Sequence, residues 1–159
     1  MIIGVDGNEA NVEKKVGVSV YTFELLHYFY NVRNNDTQFI IYLKSDPRHD
    51  LPKENDFFRY RIISGNFLWS QLFLPLHLYL KQNIDLFFSP AHYAPRFCPV
   101  PIVVTIHDLS YFYYPNEFLK KDLYQLKNRT KYSVEKARKI IAVSKNTKKD
   151  IVKYYNVPE

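Results

Sequence analysis

The adjacent residues His107 and Asp108 are where this 159-residue chain most plainly offers chemistry. An imidazole and a carboxylate can hold or move protons, and side by side each biases the charge or tautomer of the other. They follow Pro101 and the run Ile-Val-Val-Thr-Ile at 102–106, a β-branched stretch that suits a strand buried on both faces. Ligands of open α/β sheets bind just beyond the carboxyl ends of the strands. The pair therefore stands where a site is expected. The competing reading is a histidine that closes a strand and an aspartate that caps a turn. His92 bears the same relation to a second apolar run, residues 84–88, with Tyr93 beside it. Four aromatics follow at 111–114, and aromatic faces offer apolar surface on which sugar rings are held. Tyr111 and Tyr113 join the candidates on that ground, the plainer alternative being aromatics that cover the sheet edge.

An anion has a different place to go. Residues 1–7 read as a first strand, 8–16 as a loop, and Gly17 opens a helix that begins with Val18. Glycine at such a junction lets backbone approach a ligand, and a helix N-terminus favours a negative group such as a pyrophosphate. One glycine is not the Gly-x-Gly-x-x-Gly fingerprint, so tight packing of the turn accounts for it equally well.

These residues need a scaffold. The helix after Gly17 shows an apolar face of Val18, Tyr21, Leu25, Tyr28, Phe29 and Val32, and Asn34-Asn35-Asp36 ends it. Strands are predicted over 38–43 and 59–64, separated by a charged loop over 44–56. Residues 68–80 read as an apolar helix that Pro75 either kinks or splits in two. Trp69 with Phe67 could instead form a membrane-interface patch, a buried helix being the simpler account. Strands over 84–88 and 102–106 come next, then a long helix over 119–138. Its inner face is Leu119, Leu123, Leu126, Thr130, Val134 and Ala137, and Lys120, Lys127, Lys131 and Arg138 line up beside it. A strand over 139–143 leads to Ser144, an N-cap for a last helix through Tyr155. Strands alternating with helices predict an α/β fold: a Rossmann-like, mostly parallel twisted sheet with helices on both faces.

Composition narrows the class. The chain is long enough for one core, so residues 1–159 form a single domain. Cys98 is alone, which excludes an internal disulfide, and no zinc-ligand spacing occurs. No signal-peptide pattern and no apolar run of about 20 residues is present, so a cytoplasmic protein is expected, with peripheral membrane contact left open. The net charge of +6 is lopsided: from Leu119 onward there are 12 Lys/Arg against 4 Asp/Glu. Such a basic third either binds an anionic partner or is a pair of well-solvated helices. Nucleic acid has only net charge in its favour and is not expected as a partner.

Three segments carry a family likeness. They are Asp6-Gly-Asn-Glu-Ala with Gly17-Val-Ser-Val-Tyr21; Val104-Thr-Ile-His107-Asp108 with Pro115; and Ala137-Arg-Lys-Ile-Ile-Ala-Val-Ser144 with Thr147-Lys-Lys-Asp150 and Tyr154-Tyr-Asn-Val-Pro158. In this order and spacing they resemble the N-terminal, acceptor-side domain of family-4 retaining glycosyltransferases of the GT-B fold, the glycogen-synthase-like and mannosyltransferase-like group. The resemblance implies transfer of a sugar from a nucleotide-diphosphate donor to a sugar or lipid-linked acceptor, with no cofactor and no metal. It implies that Gly17 and Val18 face the donor diphosphate, that His107 lies against the transferred sugar, and that Asp108 either orients the histidine or shapes the turn. His92, Tyr93, Tyr111 and Tyr113 would serve the acceptor, while Tyr21 and Ser144 match as structural residues. Ser19 departs from the pattern, standing where relatives often have a second glycine. The resemblance also implies a C-terminal Rossmann-like domain, in cis or in trans, that grips the nucleotide with an Arg/Lys pair and a Glu-x7-Glu motif. These residues contain neither, so the domain is expected to be inactive alone. The alternative is a non-catalytic Rossmann-like module that docks an anionic membrane or protein through its basic C-terminal helices.

Overall fold

Apolar runs of four to six residues become six parallel strands in the computed structural model, which describes residues 1–32, 36–65, 69–81 and 83–158. They are β1 (Ile2–Asp6), β2 (Gln38–Leu43), β3 (Phe58–Ile62), β4 (Leu86–Ser89), β5 (Ile102–Ile106) and β6 (Lys139–Ala142). Four α-helices connect or flank them: α1 (Val18–Asn31), α2 (Leu74–Leu80), α3 (Lys120–Lys136) and α4 (Lys145–Tyr155). Strand order is β3-β2-β1-β4-β5-β6, every pair parallel. The chain builds outward from β1 to β3, then returns to lay β4 on the free side of β1. Such a reversal of strand order is where open α/β sheets hold their ligands, just beyond the carboxyl ends of the strands. The pairs Val5↔Phe88 and Ser89↔Val104 bring the ends of β1, β4 and β5 to similar heights.

Alternation along each strand decides which helix it meets. Val5, Ile41 and Phe88 pack with Leu26 of α1 on one face. Tyr42 and Phe87 pack with Trp69, Leu74 and Leu78 on the other, and Val104 and Ile106 meet Val134 of α3 and Ile151 of α4 there. The absent Cβ of Gly4 is part of this fit, since an added methyl would stand 2.7 Å from Ile84 and 2.9 Å from Tyr42.

Several boundaries and faces differ from the sequence reading. A π-helical turn, Trp69–Phe73, runs into α2, and Pro75 sits in the first turn of α2, where its missing N–H costs nothing. Trp69 is buried, its Nε1 donating to the Ile63 carbonyl at 2.7 Å, so it forms no membrane patch. The turn expected at Asn34-Asn35, the helix start at Leu68 and the side chain of Phe67 lie outside the described residues. The buried ridge of α1 is Ser19, Thr22 and Leu26, with Leu25 and Phe29 half-buried, whereas Tyr28 and Val32 are exposed. Small residues on this ridge let α1 lie against the short turn Asn8–Ala10, where Ser19 Oγ donates to Glu9 Oε2 at 3.2 Å. Leu119 is exposed rather than internal, because α3 begins only at Lys120. Arg138 leaves the expected basic line, since Ala137 is already extended and the Arg138 N–H donates to the Ile102 carbonyl on the way into β6.

Candidate functional site

Three segments converge at the carboxyl rim of the sheet: the turn after β4, the end of β5 and the first turns of α1. The turn after β4 folds across β5. The His92 N–H donates to the Thr105 carbonyl at 3.0 Å, and Ser89 Oγ donates to the Tyr93 carbonyl at 2.5 Å. To make that bend His92 adopts φ 53°, a left-handed conformation that non-glycine residues rarely occupy. Its ring then lies 5.1 Å from that of His107, tilted by 38°.

His107 is held from three sides. Its Nε2 lies 2.8 Å from the Pro90 carbonyl oxygen. A carbonyl can only accept, so Nε2 carries a proton, and in that tautomer Nδ1 is left as an acceptor. Tyr21, one turn into α1, sets its ring edge-on at 4.8 Å and 86°, with its hydroxyl 3.3 Å from Thr105 Oγ1. Behind the ring, Thr147 Oγ1 donates to the His107 carbonyl at 2.9 Å. Ser144 caps α4 by accepting from the Thr147 N–H at 3.0 Å, so the cap and the rim share one chain of hydrogen bonds. Asp108 turns away from its neighbour to cap the next turn, its Oδ1 accepting from Ser110 N and Oγ at 2.9 and 2.6 Å.

Charge at the rim follows from these contacts. Burial, helped by neighbouring His107 and only partly opposed by Asp108, pushes the His92 imidazole down to about 4. His92 is therefore neutral at pH 7, and its buried Nδ1 has no partner among the described residues. Burial works to raise the Asp108 carboxyl, but the two Ser110 hydrogen bonds and the nearby imidazoles outweigh it and leave the group below its ordinary range. Burial also pushes the Tyr93 phenol up, against the Arg129 guanidinium that lies 5.7 Å from its ring.

Gly17 has φ 50° and ψ −111°, a combination that essentially only glycine adopts, and no atom lies within 4 Å of where its Cβ would be. Val18 follows as the first helical residue, so the backbone at the mouth of α1 is open to a ligand. The aromatic run behaves otherwise. Tyr111 is 2% exposed, with its hydroxyl 2.7 Å from that of Tyr155. Tyr113 donates to Asp150 Oδ1 at 2.6 Å, and Phe112 stacks on Tyr154 at 4.1 Å. These residues dock α4 against the sheet. Of the sequence candidates, His92, Tyr93 and His107 come together, with Gly17 and Val18 joined to them through α1. Tyr111 and Tyr113 spend their hydroxyls on α4 instead.

Asp6, Tyr21 and Thr147 are rim residues that sequence reasoning passed over or took as structural, and the last two touch His107. Asp6 ends β1 at the strand-order reversal, and burial raises its carboxyl even though Oδ1 accepts from Asn8 N and Nδ2 and Lys44 is near. Its position at a strand terminus was the available signal. Hollows of about 550 and 820 Å³ lie elsewhere, one beside β3 among Gln38, Glu54 and Arg59, the other under Phe97, Tyr132 and Lys136. Neither is lined by His92 or His107. Among the described residues no three His, Cys, Asp or Glu side chains gather as metal ligands, and no helix is long and apolar enough to cross a membrane.

Comparison with known proteins gives one family. The sequence model described as Glycosyltransferase Family 4 matches residues 16–159. No curated protein matches the chain.

Proposed function

The chain belongs to glycosyltransferase family 4, and on that premise we propose that it is the acceptor-side half of a retaining glycosyltransferase. It moves a sugar from a nucleotide-diphosphate donor to a sugar or lipid-linked acceptor, and works with a second Rossmann-like lobe supplied in cis or in trans. The observation that carries this reading is the convergence of α1, the turn after β4 and the end of β5 on His107, with Tyr21 at 4.8 Å and His92 at 5.1 Å. In such a site the open backbone at Gly17-Val18 faces the diphosphate, where the partial positive charge of a helix N-terminus opposes the developing negative charge. His107, its tautomer set by the Pro90 carbonyl, presents Nδ1 as an acceptor to a hydroxyl of the transferred sugar. Neutral His92 and the half-buried Tyr93 line the acceptor side. Departure of a diphosphate needs preorganised cations, which is the companion lobe's part. No metal is invoked.

His107→Ala in the enzyme that contains this lobe tests the proposal. Loss of one preorganised hydrogen bond in a transferase site is expected to lower kcat roughly 100-fold, with the melting temperature nearly unchanged because the ring is only half-buried. Unchanged turnover would remove His107 from the site.

A further inference from the structure

Helix α3 is built with two incompatible faces. Leu123, Leu126, Thr130 and Val134 turn inward against β5 and the segment after it. Along one flank and outward from it, at three- and four-residue spacing, stand Lys120, Tyr124, the half-buried Lys127 and Lys131, with Lys121, Asn128 and Glu135 also exposed on that side. Tyr124 is 72% exposed, and Leu119, just ahead of the helix, is 75% exposed. The patch extends onto neighbouring segments. Lys127 Nζ lies 5.1 Å from the Phe112 ring centroid, tying the helix to the turn that carries Tyr114, itself 60% exposed. Lys153 of α4 sits over Tyr113 and Tyr154 at 5.4 and 4.7 Å. Lys131 makes a long ion pair with Glu135 at 3.8 Å, while neither Lys120 nor Lys121 pairs with a carboxylate among the described residues.

We propose that the outer face of α3, with Leu119, Tyr124 and Tyr114 set among Lys120, Lys121 and Lys127, docks the protein on an anionic lipid bilayer. Charge complementarity supplies the attraction, since 12 Lys/Arg against 4 Asp/Glu lie from Leu119 onward. The residue types choose the partner. A bare leucine and two tyrosines between cations match the headgroup–acyl boundary, where an apolar tip inserts and a polar hydroxyl stays wet. The cations of the outer face are lysines, whose long stems extend over apolar surface with the ammonium at the headgroups. A nucleic acid would use arginine forks for its phosphates and give Leu119 no contact. The nearest arginine of α3, Arg129, is turned toward Tyr93 instead. The docking face begins only a few residues beyond His107-Asp108, so it would hold the rim next to the membrane. It stands independently of the transferase reading.

The test is sedimentation of the chain with vesicles of equal parts phosphatidylglycerol and phosphatidylcholine, against pure phosphatidylcholine. Binding is expected only to the anionic vesicles. Each cation lost near such a surface weakens partitioning about five-fold, so Lys120→Glu with Lys121→Glu should weaken it on the order of 100-fold or more. Leu119→Ser with Tyr124→Ser should weaken vesicle binding about ten-fold or more by removing the inserted groups, while retention on heparin stays unchanged. Lys53→Glu with Arg59→Glu makes the same net-charge change on the β3 side and should leave binding within a few-fold of the parent. Circular dichroism confirms that each variant is folded. Absence of binding to anionic vesicles overturns the proposal. So does vesicle binding indifferent to the Leu119/Tyr124 change, which would mark a plain polyanion site, and so does an equal effect of the Lys53/Arg59 pair.

Discussion

His92 is where backbone strain, burial and electrostatics meet. A left-handed φ of 53° costs such a residue about 1 kcal/mol or more, and the hydrogen bond from its N–H to the Thr105 carbonyl holds it there. Its imidazole titrates near 4 in the fold against about 6.5 in an open chain. Between those values the unfolded chain binds the proton that the folded one resists, so stability falls as pH drops from about 6.5 to about 4 and is complete above that window. The effect amounts to at most about 3 kcal/mol. Asparagine tolerates the same backbone without titrating, so His92→Asn should flatten the change in urea midpoint between pH 7.5 and 4.5. A variant as acid-sensitive as the parent would clear His92 of the role. Asp108 adds in the same direction but lower, its carboxyl lying beneath the ordinary value, so its share is lost only at more acid pH. His107 and His92 were legible as candidates because one directly follows β5 and the other lies in the turn just after β4. Tyr21 and Thr147 were not, because their partners Thr105 and His107 lie 84 and 40 residues away and only folding joins them.

Among the elements, the start of α1 and the start of α4 contrast in how they are made. Ser144 caps α4 with its own side chain, as its type foretold. No side chain caps α1: Gly17 makes the turn with a backbone conformation closed to other residues. Gly17→Ala should therefore destabilise the protein by about 1–3 kcal/mol, read as a lower urea midpoint, although the space around the added methyl is empty. An unchanged midpoint would mean that the turn relaxes freely and carries no constraint. Strands and helices were legible to within a few residues, since β-branched runs and helical spacing are local signals. The inner face of α1 was not. Hydrophobic spacing pointed to Tyr28 and Val32, whereas the fold buries Leu26 in the core and, with it, Ser19 and Thr22, small enough for α1 to lie against the turn Asn8–Ala10. The aromatic run at 111–114 was legible in composition only: that Tyr111, Phe112 and Tyr113 all contact α4 follows from the fold.

At the scale of the whole molecule the two faces of the sheet are unequally clothed. Core residues of α2, α3 and α4 pack on one face, and α1 alone packs on the other among the described residues. Beside α1 an apolar trough of about 320 Å³ runs over Val103 and Ile141, flanked by Leu25 and Phe29. The rim above is an open edge lined by the site residues from one side. On the proposed function, a diphosphate at this rim would meet one helix N-terminus and little opposing charge. Calorimetry of the chain alone is therefore expected to find nucleotide-sugar binding no tighter than about millimolar, in the range of –4 kcal/mol. Micromolar affinity would contradict the need for a companion lobe while leaving the family assignment intact.

Local sequence was enough to determine an α/β sheet, six strands in their order along the chain, and the histidines that follow two of them. Those are consequences of side-chain periodicity and backbone preference, which act over a few residues. Tertiary structure alone decided that β4 lies against β1, that His92 swings back over Thr105 toward His107, and that Tyr111 is interior while Tyr124 is exposed. Each of these depends on which surfaces remain to be covered once the sheet has formed, a quantity that no short stretch of sequence contains.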